Sequence, residues 1–318
     1  MATKESNKIN GVSFVASRDS ITAVHTKPVA DLNANYASVM PFGFIMSLSD
    51  PNLQYDSDRQ WFGETKAGVK QYIEALQSEG IKIMLKPLIW VWQGEFTGLI
   101  QMYSEEDWKQ LEASYSKFIL EFAEVAQDTN VELLCIGTEL ELFIQKRPDY
   151  WKQLIADIRK VYKGKLTYAA NWDEYPKTTF WDAVDYIGID GYFPVSDMKT
   201  PTVEATKLGL QRWKTEMKTV SEKYKKQIVF TEYGYRSVDY AGKEPWKFDR
   251  DMDVVNLEAQ INTTQAFLEE LWQEDYIAGG FIWKWFHHHE RSGGNKDSQF
   301  TPQNKPVEEV VRQAYSRY

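Results

Sequence analysis

Leu133-Leu134-Cys135-Ile136-Gly137-Thr138-Glu139 and Ile228-Val229-Phe230-Thr231-Glu232-Tyr233-Gly234 are two short apolar runs that each lead into a glutamate. A run of this kind reads as a buried strand, and the acid marks where the strand leaves the core and its loop begins. The two glutamates are 232 − 139 = 93 positions apart, or three steps of 31, and one strand-helix-strand step takes about 30 residues. The spacing predicts two strands of one repeating pattern, each delivering a carboxylate.

The rest of the chain carries the same alternation. Strands are expected at Val12 to Ala16, Ser38 to Ile45, Ile81 to Leu88, Leu133 to Thr138, Leu166 to Ala170, Tyr186 to Asp190, Ile228 to Thr231 and Gly280 to Trp283. Helices are expected between them. One runs from Thr65 to Ser78, with Val69, Tyr72, Ile73 and Leu76 on one stripe and Gly80 as its C-terminal stop. Another starts at Ser104, where Ser104-Glu105-Glu106-Asp107 resembles a capping box, and carries Trp108, Leu111, Tyr115, Phe118, Ile119 and Phe122 on its apolar face. Further helices are expected at Asp149 to Tyr162, Val203 to Tyr224, Val254 to Glu274 and Pro306 to Tyr318, with short first and fifth crossovers. Eight alternations without a linker or low-complexity stretch predict an α/β fold, a single-domain (β/α)8 barrel over residues 11–318 behind a disordered tail of residues 1–10. A doubly wound open sheet is the alternative. In the barrel, Glu139 and Glu232 close strands four and seven.

Composition narrows the ligand. The 318 residues are 43% hydrophobic and 26% charged, which fits a packed core rather than disorder. The net charge of −9 argues against a nucleic-acid partner, whose phosphates call for clustered Lys and Arg. The basic stretch Lys214 to Lys226 is interleaved with Glu216 and Glu222 and reads as a solvated helix face. The single cysteine, Cys135, sits inside an apolar strand and reads as a small buried hydrophobe. No apolar run reaches the roughly 18 residues that span a bilayer, and Met1 to Lys8 lacks the apolar centre of a signal peptide.

In a barrel of this type the active site gathers at the C-terminal ends of the strands. Those ends offer Lys86, Trp90 and Trp92 after strand three, Glu139 after four, Asn171 and Trp172 after five, Asp190 and Tyr192 after six, Glu232 and Tyr235 after seven, and Trp283 and Trp285 at eight. Two acids stand among aromatics. With 12 Trp, 18 Tyr and 16 Phe, flat apolar surfaces are available for the C–H faces of sugar rings, and Asn, Lys, Tyr and carboxylates for their hydroxyls. Two carboxyl groups in opposite protonation states suffice to cleave a glycosidic bond without metal or cofactor, and at about 5 to 5.5 Å apart they do so with retention of configuration. Glu139 is expected to be held protonated, and Glu232 ionised by hydrogen bonds such as one from Tyr192.

Four motifs give this reading a family. Glu139 in Ile136-Gly137-Thr138-Glu139-Leu140, Tyr192 in Gly191-Tyr192-Phe193-Pro194, Glu232 in Phe230-Thr231-Glu232-Tyr233-Gly234-Tyr235-Arg236-Ser237 and Trp283 in Gly279-Gly280-Phe281-Ile282-Trp283-Lys284-Trp285 resemble clan A glycoside hydrolases, most closely family 113. The resemblance runs from Gly11 to the terminal helix. It implies a (β/α)8 barrel, a retaining mechanism, β-1,4-mannan or related mannose-containing saccharides as substrate, Glu139 as acid/base and Glu232 as nucleophile. It also implies a secreted or cell-envelope location with any signal peptide already removed; apart from the resemblance, no membrane-spanning segment and a monomer are expected. Clan A enzymes commonly carry Asn directly before the acid/base, where it holds the sugar 2-hydroxyl; here that place is Thr138, and Asn171 is the candidate substitute.

Other readings compete at particular residues. Glu141 falls in the loop beyond strand four, and Glu174 reads as an exposed loop acid. His287-His288-His289 looks like a metal tract, but consecutive side chains are expected to point apart and not to share an ion. Asp190 is expected to fix neighbouring loops, and Lys86 to meet an acid such as Glu139 or a sugar hydroxyl. The rival functions are a carbohydrate-binding barrel without catalysis, a β-glycosidase for another sugar, and an enzyme of phosphorylated metabolites, for which Gly293-Gly294 is a weak match.

Overall fold

The computed structural model describes residues 8–247 and 254–318. Its elements, in chain order, are β1 (Ile9–Phe14), α1 (Ala23–Asp31), β2 (Tyr36–Val39), β3 (Phe42–Ile45), α2 (Lys66–Gln77), β4 (Lys82–Leu85), β5 (Leu88–Val91), α3 (Glu105–Asp128), β6 (Leu133–Thr138), α4 (Glu141–Lys146), α5 (Pro148–Val161), β7 (Lys165–Asn171), β8 (Ile187–Asp190), α6 (Val203–Tyr224), β9 (Ile228–Tyr233), α7 (Leu257–Leu271), β10 (Ile277–Trp285) and α8 (Pro306–Arg317). Eight strands form a closed barrel in the order β1-β10-β9-β8-β7-β6-β4-β2. The pairings of β1 with β10, β10 with β9, β4 with β6 and β6 with β7 are all parallel. An open doubly wound sheet is thereby ruled out, and the (β/α)8 expectation holds.

Two of the expected strands are split. Ser38 to Ile45 becomes β2 and β3, and Ile81 to Leu88 becomes β4 and β5. Pro41 and Pro87 stand at the breaks, and proline has no N–H to continue a ladder. Past them β3 and β5 leave the barrel sheet and pair in parallel with each other, Phe42 opposite Leu88 and Phe44 opposite Trp90. The first strand begins at Ile9, so residues 8–10, expected in a disordered tail, belong to the fold, with the Lys8 amine donating to the carbonyls of Glu274 and Ile277. Residues 1–7 lie outside the described residues.

The chain packs as two compact units. One comprises, among the described residues, those up to 15, 23–37 and from 189 onward, and the other residues 16–22 and 38–188. In the first, the Tyr233 ring stacks on Phe267 at 4.9 Å, Trp272 donates from Nε1 to Asn10 Oδ1 at 2.8 Å, and the Tyr315 hydroxyl donates to the Gly11 carbonyl at 2.7 Å. The last of these ties α8 to the first strand. Full burial of each such ring is worth on the order of 2 kcal/mol. Lys214, expected on a solvated face, instead joins α6 to α7 through Glu270 at 3.0 Å and Glu274 at 2.9 Å.

The second unit is built on α3, whose buried face of Trp108, Leu111, Tyr115, Phe118, Ile119 and Phe122 follows the predicted stripe. Ser104 caps it, its hydroxyl accepting from the Asp107 N–H at 3.0 Å. The Tyr115 hydroxyl donates to the Ile136 carbonyl at 2.7 Å, which anchors β6. A Cβ on Gly137 would meet Tyr115 at 2.9 Å, Trp151 at 3.0 Å and Tyr168 at 3.2 Å. Glycine at this position is what lets three aromatic side chains close on the strand that leads to Glu139.

Candidate active site

Glu232 is the fifth residue of the six-residue β9, one place further inside the strand than the sequence indicated. It is only 7% exposed, and its Oε2 accepts from the Tyr192 hydroxyl at 2.6 Å. A bond of this length is at the short end for a hydroxyl donor. Tyr192 reaches it from just beyond β8, where the Gly191 N–H donates to the Glu232 carbonyl at 2.7 Å and the Thr231 hydroxyl donates to Asp190 Oδ1 at 2.7 Å. Asp190 thus fixes the neighbouring strand, where the sequence predicts that it fixes loops. The Tyr192–Glu232 contact expected from the sequence is present.

Trp283 lies half-buried near the end of β10, and the residue after it was missed. The Lys284 amine sits 5.3 Å from the Trp283 ring centre and 5.3 Å from that of Phe286. Burial holds its pKa below the ordinary lysine value, while the charges of Glu232 and Asp297 pull the other way. A lysine flanked by two tryptophans in an apolar strand was the available signal. Trp285 is fully buried and stacks on His289 at 5.2 Å, so its ring packs the core.

Tyr235 needs correction. The sequence places it among the strand-end residues that bind substrate, but it is 1% exposed, packs against Phe267 and directs its hydroxyl at the Phe193 carbonyl at 3.4 Å. Its position past the strand end returns it to the core instead of a cleft. The histidine tract also differs from expectation, since the rings of His287 and His288 lie 3.9 Å apart and His25 stands 5.4 and 5.2 Å from them.

In the other unit, Glu139 directly follows β6 with φ at +50°. A left-handed backbone costs a non-glycine residue about 1 to 2 kcal/mol, so the surroundings must hold it. The Glu139 N–H donates to the Ala169 carbonyl at 2.8 Å, and the next N–H, of Leu140, donates to the Tyr168 hydroxyl at 2.6 Å. That hydroxyl in turn donates to Glu174 Oε1 at 2.8 Å, and Glu174 Oε2 accepts from the Asn171 N–H at 3.0 Å. Glu174 is therefore 2% exposed, not the surface acid expected. The missed signal is the spacing Asn171-x-x-Glu174, in which the acid reaches back to an N–H three residues earlier as in a capping box. Glu141 opens the short α4 and pairs with Lys177 at 3.1 Å.

The remaining candidates of this unit fall into two groups. Trp90 and Trp92 are 47% and 65% exposed, and Trp90 meets Phe42 edge to face at 6.3 Å. They are open aromatic surfaces. Lys86 follows β4 and is fully buried, its N–H held by the Val39 carbonyl at 2.9 Å. Asn171 ends β7, and its Oδ1 accepts from the N–H of half-buried Trp172 at 2.9 Å, which leaves the amide Nδ2 to donate. The Thr138 hydroxyl is buried and makes no hydrogen bond among the described residues.

Comparison with known proteins agrees with this architecture. The model of Glycoside Hydrolase Family 113 matches residues 16–305. No curated protein matches the chain. Among solved structures, a family 113 β-mannanase from Alicyclobacillus acidocaldarius in complex with ManMIm is similar at 24% identity and a TM-score of 0.86, covering 99% of each chain. A family 113 β-1,4-mannanase is similar at 21% identity and 0.84, covering 98% of this chain and 99% of that one. A β-glucuronidase from Faecalibacterium prausnitzii matches at 16% identity and 0.61, covering 98% of this chain but 49% of that one. At these identities the structural likeness is one of fold.

Proposed function

The chain belongs to glycoside hydrolase family 113, and on that premise we propose that it cleaves β-1,4-linked, mannose-containing oligo- or polysaccharides, with Glu232 as nucleophile and Glu139 as acid/base. The observation that carries the assignment of Glu232 is the 2.6 Å bond it accepts from Tyr192. A hydroxyl held this close fixes the orientation of a buried carboxylate, as attack on one carbon requires.

In the first step a Glu232 oxygen attacks the anomeric carbon while Glu139 gives its proton to the departing glycosidic oxygen, and the C–O bond breaks. In the second, the Glu139 carboxylate takes a proton from water as the water oxygen attacks the same carbon, which releases Glu232 and restores the acid. Two inversions leave the product with its original configuration. Trp90, Trp92, Trp172 and Trp283 offer ring faces to sugars, and Asn171 and Tyr192 offer donors to hydroxyls, while Lys86 is fully buried. The charge of Glu232 acts on the Lys284 amine, which places that amine beside the proposed nucleophile.

Chromatography of digests of a defined mannohexaose, beside glucose- and xylose-based hexasaccharides, tests the substrate. Cleavage of the mannohexaose alone, abolished in Glu232→Ala, is the expected result; preferential cleavage of another hexasaccharide overturns the mannose assignment. The chain is also proposed to act as a monomer, which sedimentation at the mass of one chain would support and a larger species would refute.

A further inference from the structure

We propose that Tyr168 and Glu174 are positioning residues for Glu139, holding the backbone on its C-terminal side so that its carboxyl meets the glycosidic oxygen. The proposal rests on the reading of Glu139 as the acid/base. Both peptide groups flanking the Glu139 Cα are gripped by adjacent residues of β7: the N–H before it by the Ala169 carbonyl at 2.8 Å, and the N–H after it by the Tyr168 hydroxyl at 2.6 Å. A glutamate at φ +50° keeps that conformation only while such contacts outweigh its strain.

The Tyr168 hydroxyl is committed in direction. Its proton goes to Glu174 Oε1 at 2.8 Å, so its oxygen lone pair is what faces Leu140. Donation to a carboxylate makes that oxygen a better acceptor. Glu174 is itself fixed by the Asn171 N–H at 3.0 Å. Burial pushes the Tyr168 phenol well above the ordinary tyrosine value, and the charge of Glu174 adds to this, so the strut keeps its proton across any working pH. The ring lies against the face of Gly137 and among Trp151, Phe180 and Trp181, at centroid distances of 5.8, 5.5 and 6.1 Å. Tyr168→Phe keeps all of that packing and removes only the hydroxyl.

If the hydroxyl only stabilised the fold, its loss would lower turnover of every substrate alike. As a support for the acid, it matters where the leaving group needs a proton. Displacing a catalytic group by about 1 Å costs on the order of 100-fold. Wild type, Tyr168→Phe, Glu174→Gln and Glu139→Ala are compared on aryl β-mannosides running from 2,4-dinitrophenyl to unsubstituted phenyl, with Tm measured for each. The expected result is a 10- to 100-fold loss of kcat/KM on the phenyl glycoside for Tyr168→Phe, a smaller loss of the same pattern for Glu174→Gln, and near-wild-type values on the dinitrophenyl glycoside. A loss independent of the leaving group, or none, while Glu139→Ala shows the dependence, overturns the proposal and leaves the acid/base reading standing. A Glu139→Ala profile without leaving-group dependence, or no hydrolysis of any mannoside by wild type, refutes the underlying reading, and the proposal falls with it.

Discussion

The Tyr192 hydroxyl donates to Glu232 Oε2 over 2.6 Å, and the two residues sit on neighbouring strand ends locked together by the bond from the Gly191 N–H to the Glu232 carbonyl. A hydrogen bond to an ionised group is worth about 1.5 to 3 kcal/mol, and each 1.36 kcal/mol is about tenfold in rate. Tyr192→Phe should therefore lower kcat on an aryl β-mannoside by about 10- to 100-fold, with a fall in Tm as the buried bond is lost. Unchanged kcat would show that the bond does not serve the reaction.

Lys284 gives a pH prediction with a definite sign. Burial is the main cause of its lowered pKa, with Glu232 and Asp297 opposing. A lysine whose folded pKa is depressed opposes folding while it is charged, and the penalty disappears as pH rises through the folded value toward the ordinary one. Lys284→Met should raise Tm at pH 7, and its advantage over wild type should shrink as pH is raised toward that of a free lysine. It should also lower kcat, because Glu232 loses a neighbouring positive charge. A Tm advantage that grows with pH would contradict the account.

Gly137 has no room for a side chain, since a Cβ would come within 2.9 Å of Tyr115 and 3.0 Å of Trp151. Overpacking of this kind costs about 1 to 3 kcal/mol. Gly137→Ala should lower the free energy of urea unfolding by that amount and reduce activity through the displaced strand end. Wild-type stability would mean that the three aromatic rings can move aside.

Asn171 keeps Nδ2 as a donor while its Oδ1 is held by Trp172. If that amide replaces the asparagine absent at Thr138, Asn171→Ala should lower hydrolysis of manno-configured substrates more than gluco-configured ones. An unchanged ratio of the two rates would remove Asn171 from sugar recognition.

Legibility varied with the physics of each segment. The strand Leu133–Thr138 and the helix Val203–Tyr224 occur with the bounds read from the sequence, because an unbroken apolar run and a long amphipathic period have few alternatives. The splits at Pro41 and Pro87 show a missing N–H overriding an apolar run that otherwise reads as continuous. Helix Ala23–Asp31 was passed over because it contains Pro28 and buries only Thr26 and Val29. At the site, Glu139 and Glu232 were visible as acids after apolar runs, and Tyr192 as the donor to Glu232. Glu174 and Tyr168 were not, since the Asn171-x-x-Glu174 spacing lies in a polar turn that otherwise reads as an exposed loop. Tyr235 misled because proximity to a strand end does not say which way a side chain turns.

The double-displacement mechanism requires a covalent bond between Glu232 and the sugar. Incubation with 2-deoxy-2-fluoro-β-mannosyl fluoride, followed by proteolysis and mass spectrometry, reads that bond directly. The fluoromannosyl group should be found on Glu232 and on no other residue. A label on a different carboxylate, or an inactivated enzyme with Glu232 unmodified, would contradict the mechanism.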